Sequence, residues 1–280
     1  MAENEENGEK EFELAEANHL RALETNVLHA SDVVYWLDAT SAVTANDMSR
    51  VAHSLQVNFT LKPREIKVLN SVGRMALWRH PAEDDPAVAM IDGYATEAQR
   101  TRPAMATFLL EGEVRDATGR YNPRVFSETV GSGEGVAVPL YPSLLGTKIP
   151  PGGAIQGHIQ LFAGGAPAVW ALLELEVEVA VDESMIFRAQ ADSRGDFIMP
   201  LLGLPPLPES ITEYDAVMRI NADTSASAEA APDLSTFVVM ESESVTVAST
   251  FQSELDLEIR PGEVARINSF NKDHLAIQPA

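Results

Sequence analysis

Along most of the chain apolar and polar residues alternate with a period of two, the spacing of strands that bury one face. The longest example is Trp170-Ala-Leu-Leu-Glu-Leu-Glu-Val-Glu-Val179. It sets Leu173, Leu175, Val177 and Val179 on one side and Glu174, Glu176 and Glu178 on the other. A core-packed face backed by a solvated glutamate ladder is expected there. Val57, Phe59 and Leu61 alternate with Asn58 and Thr60 and stop at Pro63, while Val33-Val34-Tyr35-Trp36-Leu37 is a continuous β-branched and aromatic run that reads as a buried strand. Further strands are expected at 87–91, 104–115, 124–130 and 135–140, then at 154–162, 169–181, 185–191, 196–199, 214–221, 236–241, 245–250 and 255–259. Helical signal is confined to the spacing of Leu20, Leu23, Val27 and Leu28 and to a short helix over 44–52 with Thr44 or Asn46 near its cap.

Punctuation between these runs divides the chain. Residues 1–16 hold seven glutamates and one lysine, so charge repulsion predicts a disordered acidic arm. Residues 81–86 form a charged turn bracketed by prolines, and 223–233 are small and polar, suiting a long mobile loop. The segment 141–153 has three prolines and three glycines and reads as the crossing between domains. The expected organisation is all-β, with a β-rich domain over 17–145 and a second over 146–280. Eight short strands in the latter argue a β-sandwich.

Two turns share a spelling, Asp116-Ala-Thr-Gly119-Arg-Tyr121 and Asp192-Ser-Arg-Gly195-Asp-Phe197. An aspartate opening such a turn accepts backbone N–H bonds, glycine takes the left-handed position, and the aromatic residue points inward, so both predict hairpins.

The order Gly153-Ala-Ile-Gln-Gly157, Gly164-Gly-Ala-Pro167, Val169 to Val181, Arg188-Ala-Gln-Ala-Asp192-Ser-Arg-Gly195-Asp-Phe197 and Leu201 to Pro208 resembles a carboxypeptidase-regulatory-like domain, a transthyretin-like sandwich. Ala191 stands where that family's T-D-x-x-G-x-F motif has threonine. The resemblance covers about 150–260 and implies a stalk, spacer or adhesion module. A small hydrolase of the same fold carries a C-terminal Tyr-Arg-Gly-Ser, whereas this chain reads Ala276-Ile-Gln-Pro-Ala280. Over 106–200, the order Glu111-Gly-Glu-Val114, Gly119-Arg-Tyr121-Asn-Pro123, Leu140-Tyr-Pro-Ser143, Gly157, Ala168-Val-Trp170-Ala and Asp192 to Gly195-Asp-Phe197 resembles accessory proteins of phage-tail-like contractile injection particles.

Charge narrows the partners. Lys and Arg number 20 against 42 Asp and Glu, a net charge of −22. Such a field repels phosphate backbones and anionic lipid, which argues against nucleic-acid binding. No run of 18 apolar residues is present, so no membrane insertion is expected, and MAENEENGEK lacks a signal-peptide core, so cytoplasmic synthesis is expected. The chain has no cysteine, which excludes disulfides and thiolate chemistry.

No spelled-out catalytic motif appears. His19, His29, His53, His80, His158 and His274 have no partner at metal-site spacing; His158, beside Gln156 and Gln160, reads as a surface residue. Ser132 lacks a nucleophile elbow, and Gly131-Ser-Gly133-Glu-Gly135 reads as a flexible hairpin tip. Asp84, Asp85 and Asp92 lack calcium-loop spacing and read as a solvated acidic loop. Trp36, Trp78 and Trp170 read as core anchors, and Arg74, Arg79, Arg100, Arg102 and Arg120 as surface residues. No catalytic, metal or cofactor-binding residue is therefore assigned, and no cofactor is expected.

These readings converge on a non-enzymatic structural or adaptor component that joins other protein subunits. The resemblance implies a phage-tail-like contractile particle, homo-oligomeric assembly and release in an extracellular particle. Two alternatives stay open: a surface- or glycan-binding module using loops at one sandwich end, and an enzyme whose site is assembled from distant loops.

Overall fold

The computed structural model describes residues 30–40, 48–64, 66–79, 107–131, 133–209 and 211–280. The expectations for 1–16, for Leu20 to Leu28, for 81–91, and for His19, His29, His80, Asp84, Asp85, Asp92, Arg100, Arg102 and Ser132 lie outside the described residues. Within them the protein is all-β, with one short 3-10 turn at Leu234–Thr236.

The buried run around Trp36 becomes β1 (Ala30–Asp38), the middle of the first sheet. β1 pairs antiparallel with β5 (Arg74–Arg79), which continues to β4 (Ile66–Ser71), and runs parallel to β8 (Val136–Leu140) on its other edge. A second sheet is the antiparallel set β3 (Gln56–Leu61), β6 (Phe108–Arg115) and β7 (Arg124–Val130). The apolar faces of the two sheets share a core that includes Val34, Trp36, Met75, Leu77, Leu110 and Phe126. At its centre the Trp36 and Phe126 rings meet edge-on, with 5.5 Å between centroids.

Two local expectations are corrected here. The described part of 44–52 contains β2 (Ser49–Arg50), not helix. A nine-residue helix has little stability alone, and the Leu37–Asp38 end of β1 offers an edge that Ser49 and Arg50 pair with. The β4–β5 hairpin was not anticipated; it turns through Val72 and Gly73, whose φ of 65° suits a tight turn.

The second unit comprises β9 (Ala154–Leu161), β10 (Leu172–Ala180), β11 (Glu183–Gln190), β12 (Asp196–Pro200), β13 (Tyr214–Ala222), β14 (Val238–Glu243), β15 (Phe251–Gln252), β16 (Leu255–Ile259), β17 (Val264–Arg266) and β18 (Leu275–Pro279). The main path of pairing runs β11-β10-β13-β14-β18-β9-β12. The sheet curls over its own core, where Leu173, Leu175 and Val177 meet Phe187, Phe197 and Met218. Both layers of this sandwich therefore belong to one hydrogen-bonded sheet.

The curl explains further differences from expectation. Asp192 to Gly195 does not close a hairpin: β11 and β12 stand at opposite ends of the pairing path, and the turn crosses between layers. The Asp116 turn does lie within a hairpin, β6–β7. Residues 245–250 form no strand, because the Ser244 hydroxyl and the Glu243 carboxylate capture the N–H groups of Thr246, Val247 and Ser249. The loop over 223–233 is fastened at several points. Asp223 accepts from Ser225 N and the Thr236 hydroxyl, the Trp170 indole N–H donates to Ser227 O at 2.9 Å, and Pro232 O accepts from Val125 N of the first unit.

Candidate functional site

The surplus of acid is used in two ways, and the difference locates the site. Many carboxylates pin backbone. Asp116 accepts from Thr118 N and Arg120 N at 2.8 and 3.0 Å and from His53 Nε2 at 2.8 Å. Burial pushes the Asp116 carboxyl up, but the bonds from Thr118 and His53 outweigh it and hold it below the ordinary aspartate value. Asp192 repeats the pattern with Arg194 N and Asp196 N. Asp32, which is buried, accepts from Gly131 N and Gly135 N, so both of these glycines are clamped at the crossing between the two sheets of the first unit, where a flexible hairpin tip was expected.

Glu243 is also buried and binds Lys272 Nζ at 2.5 Å and Ser249 N at 2.8 Å. Burial raises its carboxyl, yet the Lys272 and Ser249 bonds bring it below the ordinary glutamate value. Lys272 also stands 5.1 Å from the Phe162 ring centre, and Phe162 packs edge-on against Phe251. This cluster ties the loop over 267–274 to the end of β14.

The three described histidines do not converge. His53 pairs with Asp116, His158 with Asp196 at 2.9 Å, and His274 with Asp273 at 2.8 Å, each in a different segment. His158 is thus a partly buried partner of Asp196, where a plain surface residue was expected. Among the described residues no group of three or more metal-ligating side chains comes together. Trp36 and Trp170 are buried, while Arg74 and Arg120 are exposed.

The other use of acid is on the outer face of β10, β13 and β16. Register places Glu174 between Arg188 and Arg219, and here the glutamate ladder is compensated. Glu174 binds Arg188 Nε at 2.9 Å, and Arg219 bridges Glu176 and Glu254 at 3.0 and 2.8 Å. Compensation stops two residues further along. Asp215 sits directly opposite Glu258, and Glu178 follows Val177, which faces Ala216 beside Asp215. Glu178, Asp215 and Glu258 are exposed, and no described cation lies within ion-pair distance of them or of Asp256.

Those carboxylates line an open groove of about 1450 Å³ that also touches Thr246, Arg266 and Asn268. Its mouth at Glu258, Ile259 and Ala265 continues into a recess of about 210 Å³ beside the Glu213–Arg260 ion pair. On either side of this mouth stand strands paired along one edge among the described residues: β16 with β13, and β17 with β9. The face of β16 was legible as alternation, but β17 and the groove were not. The groove depends on β16 and β17 parting company after the Arg260 to Glu263 turn, which local pattern does not encode.

No protein-family model matches this chain, and no curated protein or solved structure is significantly similar to it.

Proposed function

We propose that this protein is a non-enzymatic structural or adaptor component of a macromolecular assembly. The observation that carries the reading is a pair of strands, β16 and β17, each paired along one edge among the described residues and flanking a wide groove in a body whose turns are pinned. An edge strand presents unpaired N–H and C=O groups and is a natural joint for another chain. The carboxylates of Asp32, Asp116, Asp192 and Glu243, bound to backbone N–H groups, make the surrounding body stiff. Stiffness suits a part that transmits position between subunits. The sequence resemblance suggests a phage-tail-like contractile injection particle as the assembly.

Cross-linking mass spectrometry on the full chain, tagged and recovered from its native cell, tests the proposal. Cross-links from the second unit to sheath, tube or baseplate proteins are expected. A monodisperse monomer without cross-linked partners overturns it.

A further inference from the structure

We propose that β16 receives an extended, Lys- or Arg-bearing segment of a partner protein as an added strand, its cations lying beside Asp256 and Glu258 and reaching toward Asp215. This deepens the assembly reading and rests on it.

The edge supplies the attachment. β16 hydrogen-bonds β13 along Leu255 to Ile259, and its opposite edge pairs with no described strand. Neighbouring strands sit about 4.8 Å apart, with directly opposed Cβ atoms about 5 Å apart. A lysine or arginine opposite Glu258 therefore reaches its carboxylate. The groove is open and, at about 1450 Å³, larger than the roughly 300–1,000 Å³ clefts that enclose small molecules, which suits a length of chain.

Charge and register choose the occupant. Leu255, Leu257 and Ile259 turn toward the core, whereas Asp256 and Glu258 face outward in line with Val217 and Asp215. A complementary strand carries apolar residues on the inner side and cations on the outer, in strict alternation. A second copy of β16 fails this test, since its own Asp256 and Glu258 would lie against the same acids, and like charges across a strand pair are destabilising. The edge is thus guarded against self-pairing and open to a basic strand. A nucleic acid is repelled by the same row.

The test titrates the purified full chain with a fluorescent ten-residue peptide alternating lysine and valine, read by anisotropy. Controls replace every lysine by glutamate, or N-methylate the peptide backbone at all valines or at all lysines without changing its charge. The lysine peptide is expected to bind and the glutamate peptide to bind at least tenfold more weakly. One of the two N-methylated forms, the one whose blocked edge faces β16, should also lose at least tenfold. The double variant Asp215→Lys/Glu258→Lys changes exposed positions; with an unchanged melting curve it should weaken the lysine peptide at least tenfold. No binding, equal binding by both N-methylated forms, or an unaffected double variant each overturns strand addition. Cross-linking of the double variant in its native cell separates the two proposals: failed peptide binding alongside unchanged partner cross-links sinks the strand and leaves the assembly reading standing.

Discussion

A carboxylate that accepts two or three backbone N–H groups does the work of a small knot, and this protein ties several. Asp192 joins Arg194 N and Asp196 N across the turn between layers. Asp192→Ala is expected to cost about 2 kcal/mol, the scale of hydrogen bonds to a charged group, seen as a lower denaturant midpoint. Lys272→Met strands the buried Glu243 carboxylate, and a loss of about 3 kcal/mol is expected from equilibrium unfolding at neutral pH. The sign with pH follows from the lowered Glu243 value: its contribution is complete above the unfolded glutamate value of about 4.3 and is lost as pH falls through the lower folded value. Without Lys272 that loss should begin at higher pH. Asp116 and Asp192 were readable because their backbone partners lie within five residues. Asp32 and Glu243 were not, since their partners at Gly131 and Lys272 lie 99 and 29 residues away.

Elements follow the alternation closely where each strand contributes a full apolar face. β7 and β16 coincide with the expected 124–130 and 255–259. β17 was unreadable because three residues carry too little pattern, and 245–250 misled because Val245 and Val247 alternate with threonine and alanine that the neighbouring Ser244 turns aside. Elements also join the two cores. β11 donates Arg188 N to Thr40 O at 2.8 Å, and Asn122 Nδ2 reaches Gln190 O and Ala191 O at 3.3 Å from a buried position. Asn122→Ala removes the side-chain half of that seam. Calorimetry is expected to resolve two unfolding transitions in the variant where the parent chain shows one more tightly coupled event.

At the scale of the whole molecule, 22 more acids than bases must share one surface. Among the described residues, ion pairs neutralise the Arg188–Arg219 end of the β10–β13–β16 face and leave the Asp215 end bare. Mutual repulsion there is screened by salt, so the melting temperature should rise by about 3 °C between roughly 0.05 and 0.5 M sodium chloride, measured by scanning calorimetry. The second core also has an awkward order of construction. β18 is not an appendage but the keystone between β14 and β9, and its partner Ile159 was made over a hundred positions before Leu275. While the ribosome is still adding the intervening residues, β9 and β14 have nothing to bridge them, and the apolar interior of Leu173, Phe197 and Ile159 stands unsealed. Such late, long-distance stitching slows acquisition of the native state and makes the nascent chain a natural client for chaperones.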